Sequence, residues 1–157
     1  MMIFILIIFI LTILLILFNK RAVPVFLYHQ VNPISSNVSP ELFEEHLKII
    51  KKYNMETITI SEYYNKNINK NSMLLTFDDG YYDNFKYVFP LLKKYNMKIV
   101  LFLITSESYN KWDTDVEDRE KEKKFNLMSK EEVKELIASN LVEIGGHTTK
   151  HLDMPNV

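Results

Sequence analysis

The chain contains no cysteine, which removes disulfide frameworks, thiolate metal sites, iron–sulfur clusters and cysteine nucleophiles together. Any metal site must therefore be built from His, Asp or Glu. Glycine and proline are scarce, 3 and 5 of 157 residues, so there is no low-complexity linker and no glycine-rich loop to cradle nucleotide phosphates. Excess charge is missing too. The 19 basic side chains face 20 acidic ones, for a formal net charge of −1, which leaves no electrostatic footprint for a phosphate backbone and sets nucleic acid aside as a partner. What is present, 47% hydrophobic and 25% charged residues, is the balance of a globular chain of about one domain.

The hydrophobic fraction is unevenly spread. Met1 to Phe18 is an unbroken apolar run relieved only by Thr12, and at about 1.5 Å per residue a helix of this length reaches roughly 27 Å, near the thickness of a bilayer core. It has no polar face, as a helix packed on a domain surface would. A cleaved signal peptide is the alternative, but the run ends in Phe18-Asn19-Lys20-Arg21, without the usual small-residue cleavage site. The expectation is a retained membrane anchor over residues 1–18, a basic juxtamembrane linker over 19–22, and a domain over 23–157. Lys20 and Arg21 follow the run, which by the positive-inside tendency would keep that domain in the cytoplasm.

Beyond residue 21, short apolar runs alternate with amphipathic stretches. Strands are expected at Val23–Tyr28, Thr57–Ile60, Met73–Phe77, Ile99–Ile104 and Leu141–Ile144, the third and fourth apolar enough to be buried on both faces. Ser39-Pro40-Glu41 reads as a helix start ahead of Phe43, Leu47, Ile50 and Tyr53. Asp83 is placed to cap a helix carrying Phe85, Val88, Phe89, Leu92 and Tyr95, and Ser129-Lys130-Glu131-Glu132 is a capping box. Lys-Lys-Tyr-Asn-Met occurs twice, at 51–55 and 93–97. Lysines suit a helix C-terminus and Asn tolerates the left-handed residue that ends it, so helix stops are expected at Asn54, Asn96 and Asn140. Strands alternating with helices imply a parallel α/β sheet or barrel whose chemistry gathers at the carboxyl ends of the strands. Glu107 to Phe125 has no apolar face and reads as a solvated loop anchored by Trp112.

Three strand ends carry chemistry-bearing residues. Thr76-Phe77-Asp78-Asp79-Gly80 closes a strand with two adjacent carboxylates; on an extended backbone they diverge, so one can hold a metal while the other stays nearby as a base. By itself such a motif is more often a polar turn. His147 and His151 follow another strand; their i, i+4 spacing places both imidazoles on one face of a helical turn, about 5–6 Å apart at Cβ, though surface histidines meet that spacing by chance. No Glu follows His147, which argues against a metalloprotease helix. Tyr28-His29 ends the first strand, where a lone histidine is more often structural than catalytic.

Together these residues resemble one family, the polysaccharide deacetylases of carbohydrate esterase family four, or NodB homology domain. The matching segments are Leu75-Thr-Phe-Asp-Asp-Gly-Tyr81, Glu143-Ile-Gly-Gly-His-Thr-Thr-Lys-His151, Phe89-Pro-Leu-Leu-Lys-Lys-Tyr95, Val23-Pro-Val-Phe-Leu-Tyr-His29 and Ser39-Pro-Glu-Leu-Phe43. The Tyr-His opening is similar to the subgroup that deacetylates poly-N-acetylglucosamine, in which the acid histidine comes first. The resemblance implies a distorted (β/α) barrel, a divalent metal, usually zinc, on Asp79, His147 and His151, Asp78 as general base and His29 as general acid. It also implies an oxyanion contact from the backbone N–H of Tyr81 or Tyr82, and an N-acetylated polysaccharide substrate outside the cytoplasm, despite Lys20 and Arg21. Two departures are visible: Gly146 stands where the family more often has Ser, and the family's arginine–proline motif and later strands have no counterpart before Val157. The expectation is therefore a barrel truncated at its C-terminus, either a membrane-anchored deacetylase or a non-catalytic remnant that binds metal or glycan without turnover.

Overall fold

The computed structural model describes residues 8–10, 12, 22–33, 38–65, 68–108 and 126–151. The expected anchor over 1–18 lies mostly outside this set, as do Lys20, Arg21, Trp112 and most of the loop 107–125; no helix among the described residues is long and apolar enough to cross a membrane. Five strands are present: β1 (Val25–Tyr28), β2 (Glu56–Thr57), β3 (Ser72–Phe77), β4 (Ile99–Leu103) and β5 (Val142–Gly146). All pair in parallel, in the order β1-β3-β4-β5, with β2 added at the start of β3. This is the α/β arrangement expected from the alternating pattern.

Local sequence explains each helix. In α1 (Pro40–Lys52) the Ser39 hydroxyl accepts from the Leu42 N–H at 3.2 Å, and Phe43, Leu47 and Ile50 face the sheet. The helix α4 (Lys130–Ala138) begins with the expected capping box of Ser129 and Glu132. Asn54, Asn96 and Asn140 all adopt the left-handed conformation, with φ of 52°, 52° and 59°.

Three expectations are corrected. The first strand starts at Val25 rather than Val23. The strand expected at Thr57–Ile60 stops at Thr57, because Thr59 and Glu62 form a reciprocal capping box that opens the short helix α2 (Ile60–Tyr64); two polar side chains satisfying two backbone N–H groups outweigh the β propensity of the run. Asp83 makes no capping hydrogen bond and is already helical, with φ −61° and ψ −29°. The segment after it is π-helical over Asn84–Val88 before α3 (Phe89–Tyr95). Pro90 cannot donate to the preceding turn and crowds its carbonyl, and a wider turn accommodates both effects.

All six residues of β3 are buried, and Leu75, Phe77, Leu101, Phe43, Leu47, Val88 and Leu92 form the centre of the core. Tyr28 joins it, stacked on Phe77 at 5.0 Å and edge-on to Phe43 at 5.3 Å. The core thus sits directly beneath the carboxyl ends of β1 and β3, where the candidate site lies.

Candidate metal centre at the strand ends

Asp79 occupies a strained turn. Its φ is 73°, and the Gly80 N–H donates to the Asp78 carbonyl at 2.9 Å, a combination found in the uncommon, strained γ-turn. Gly80 follows with φ 83°. Cross-bonds hold the turn in place: the Ile104 N–H donates to the Asp79 carbonyl at 3.4 Å and the Met128 N–H to the Gly80 carbonyl at 2.9 Å. Strain fixed by surrounding bonds in this way is characteristic of functional positions.

The Asp79 side chain is 0% exposed, and neither carboxylate oxygen has a hydrogen-bond partner. A buried acceptor left without a donor costs about 1–3 kcal/mol, and more when charged. Two imidazoles face it instead: His147 Nε2 lies 3.4 Å and His151 Nε2 3.7 Å from Asp79 Oδ1. The histidine rings are 5.3 Å apart, and one ligand atom from each of the three residues falls within 4.8 Å of the others. Ligand atoms bound at about 2.1 Å to one tetrahedral ion are separated by roughly 3.4 Å. The orphaned oxygens and these spacings fit a divalent metal.

The histidines meet by a route other than the helical turn expected from their spacing. The His147 N–H donates to the Leu103 carbonyl at 2.9 Å, extending the β4–β5 pairing by one residue. The chain then turns through Thr148, φ 62°, and His151 is itself left-handed, φ 53°. The Ser106 N–H and hydroxyl both donate to the Thr149 carbonyl, which ties this turn to the end of β4.

Asp78 and His29 form a second pair beside the triad. His29 Nε2 is 3.8 Å from Asp78 Oδ2, with the histidine side chain 44% exposed. Burial pushes the Asp78 carboxyl above its ordinary pKa; the charges of His147 and His29 pull against that rise and neighbouring Asp79 adds to it. A carboxylate made more basic by its surroundings suits proton abstraction. Of the two tyrosines, Tyr81 bridges Leu127 and the Tyr82 N–H is spent on the Asn126 carbonyl at 2.7 Å.

A buried cluster that sequence reasoning passed over lies on the chain segments just after His29 and Asp79. Asn32, Asp83 and Asn84 are 3%, 5% and 3% exposed. The Asn32 side-chain amide donates to Asp83 Oδ2 at 2.8 Å. Burial pushes the Asp83 carboxyl up to about 7, against the hydrogen bonds from Asn32 and from the backbone of Val31 and Asn84 that lower it. The one signal in the sequence was an acid and an amide adjacent to each other within an otherwise aromatic, buried stretch.

Comparison with known proteins agrees with this geometry. The sequence model of the polysaccharide deacetylase family matches residues 65–157. The chain is 30% identical over 137 residues to YxkH of Bacillus subtilis, named for the same family, covering 83% of this chain and 44% of that protein. It is 29% identical over 116 residues to the poly-beta-1,6-N-acetyl-D-glucosamine N-deacetylase of Staphylococcus aureus, covering 71% of this chain and 37% of that one. Among solved structures, IcaB from Ammonifex degensii superposes with a TM-score of 0.69 at 28% identity, over 83% of this chain and 54% of IcaB. The chain thus spans less than half the length of these two curated relatives. With the family's Asp, Asp, His and His gathered at the ends of a parallel sheet and its sequence model matched over more than half the residues, the chain belongs to the polysaccharide deacetylase family.

Proposed function

We propose that this chain carries the catalytic machinery of a metal-dependent N-deacetylase acting on an N-acetylglucosamine polysaccharide at the cell envelope. The observation that carries the reading is the buried Asp79 carboxylate, without a hydrogen-bond donor and faced by two imidazoles. Asp79, His147 and His151 would hold the ion, and a donor set of one carboxylate and two imidazoles suits zinc. Such an ion supplies Lewis acidity to the acetyl carbonyl and lowers the pKa of water.

The protein's own groups supply the proton transfers. Asp78, raised by burial, takes the proton of the attacking water. His29, whose Nε2 lies 3.8 Å from Asp78 Oδ2, protonates the departing amine, because an amide nitrogen leaves poorly unless it is protonated. By resemblance to the family, a backbone N–H just after Gly80, that of Tyr81 or Tyr82, would support the oxyanion. The similarity to a poly-beta-1,6-N-acetyl-D-glucosamine N-deacetylase supports the choice of glycan. The apolar run Met1–Phe18 supports a membrane anchor, with the domain on the side of its polymeric substrate.

Acetate release from N-acetylglucosamine oligomers by the full chain, with and without added Zn2+, tests the reading. Metal-dependent release is expected; metal binding with no release would identify a module that binds without turnover.

A further inference from the structure

The stretch just after β1, residues 29–33, is polar at Gln30 and Asn32 and yet partly sealed: Val31 is 0% and Asn32 3% exposed. Its two flanks are tied down separately. On one side of His29, Tyr28 stacks on Phe77 and its hydroxyl meets His46 Nδ1 at 3.0 Å. On the other, Asn32 donates to Asp83, and the backbone of Val31 is bonded to the same carboxylate. One partner of each tie lies beside the site in the chain: Phe77 precedes Asp78, and Asp83 lies four residues after Asp79.

Simple stability does not account for the second tie. An acid placed almost wholly out of water, with Oδ1 lacking a partner beside an Asn84 whose two amide atoms also lack one, costs more than an apolar pair of similar volume would. What the bond does accomplish is geometric. It joins the loop carrying His29 to the helical segment that follows the Asp78–Asp79 turn, beyond the last backbone bond between the two strands, from the Asp78 N–H to the Tyr28 carbonyl. His29 is held just beyond that last bond, 3.8 Å from Asp78.

We propose that the buried Asn32–Asp83 pair is a positioning clamp that holds the His29 loop against the Asp78–Asp79 turn and so sets the distance of the acid from the metal centre. Neither residue touches substrate; both act through His29. The proposal rests on the reading of His29 and the metal triad given above, and the two can fail separately.

The test uses the full chain in detergent micelles loaded with Co2+, whose paramagnetic shifts report distance from the ion, together with amide exchange of residues 29–32. The variants are Asn32→Asp, which sets two carboxylates face to face, Asn32→Ala, which deletes the donor without adding charge, and the exchanged double variant Asn32→Asp/Asp83→Asn, which restores one amide and one carboxylate. Both single variants are expected to speed exchange about tenfold or more and to shrink the His29 ring shift while the His147 and His151 shifts persist. The double variant should recover both readings. A merely structural pair would move all three histidine signals together. Unchanged exchange and His29 shift in Asn32→Ala, or no recovery in the exchanged variant, would overturn the clamp. Absence of shifted His147 and His151 signals in the unsubstituted chain would instead overturn the metal reading, and amide exchange would still decide the clamp.

Discussion

The two ends of the sheet treat polar groups in opposite ways. Around the amino ends of the strands they are paired: the Thr57 hydroxyl accepts the Lys98 N–H at 2.6 Å, Glu62 closes its capping box and also binds Lys98, Asn69 binds Glu56, and Ser61 donates twice to Glu143. At the carboxyl ends several are left open. Among the described residues, every buried side-chain polar atom without a hydrogen-bond partner belongs to Asp79, Asp83 or Asn84. Satisfied groups stabilise and are chemically quiet; orphaned groups are expensive, and their concentration at one end is what the proposed metal site and the proposed clamp would account for. The same contrast appears in the backbone. The left-handed Asn54, Asn96 and Asn140 at the amino ends are helix stops that asparagine tolerates, whereas the positive-φ residues at the carboxyl ends, Asp79, Thr148 and His151, carry or flank the candidate metal site and include a β-branched threonine for which that conformation is costly.

Substitutions at each end should therefore differ in kind as well as size. At the carboxyl end, Asp78→Asn should lower acetate release by about 10²–10⁴-fold with metal content unchanged, since an amide fills the same space but accepts no proton. His29→Ala should slow hydrolysis of an unactivated N-acetylglucosamine amide far more than that of an activated phenyl acetate. Equal losses on both substrates, with the fold and metal intact, would remove His29 as the acid.

Asp83 provides a pH test. Its carboxyl is raised from 3.8 to about 7 in the folded chain, so across that interval the native state keeps a proton that the unfolded state has released. Its contribution to stability is complete below about pH 4 and is lost as pH rises through about 7, a swing on the order of 4 kcal/mol. Denaturant unfolding should show stability falling more steeply over this range in the unsubstituted chain than in Asp83→Asn; parallel profiles would contradict the assignment.

Gly80→Ala is next in size. A methyl there would run into Leu103, and φ of 83° is unfavourable for any side chain; a loss of about 1–3 kcal/mol is expected from thermal melting. The smallest effect belongs to the amino end, where Thr59→Ala removes one half of a capping box and should cost about 1 kcal/mol while leaving metal content and acetate release alone. A change in metal content from Thr59→Ala would break the division between the two ends.

Much of this was legible in the sequence. Apolar runs and helix stops located the sheet and its alternation with helices, and Asp79, far in the sequence from His147 and His151, does come together with them in space. What escaped was local competition and long-range pairing. Thr57–Ile60 looked like a strand because its apolar alternation is visible in four residues, while the capping box that overrules it depends on Glu62 further on. Asp83 looked like a cap because sequence separates it from Asn32 by 51 residues, and no periodicity links an amide in one loop to an acid in another. His147 and His151 were rightly paired, but through left-handed residues at Thr148 and His151 that a helical spacing rule does not anticipate.

Metal stoichiometry tests the central claim most directly. Elemental analysis of the full chain after equilibration with Zn2+ and removal of excess should find about one ion per chain, retained in Asp78→Asn and lost in Asp79→Asn, His147→Ala and His151→Ala. Wild-type stoichiometry in any of those three ligand variants would contradict the site.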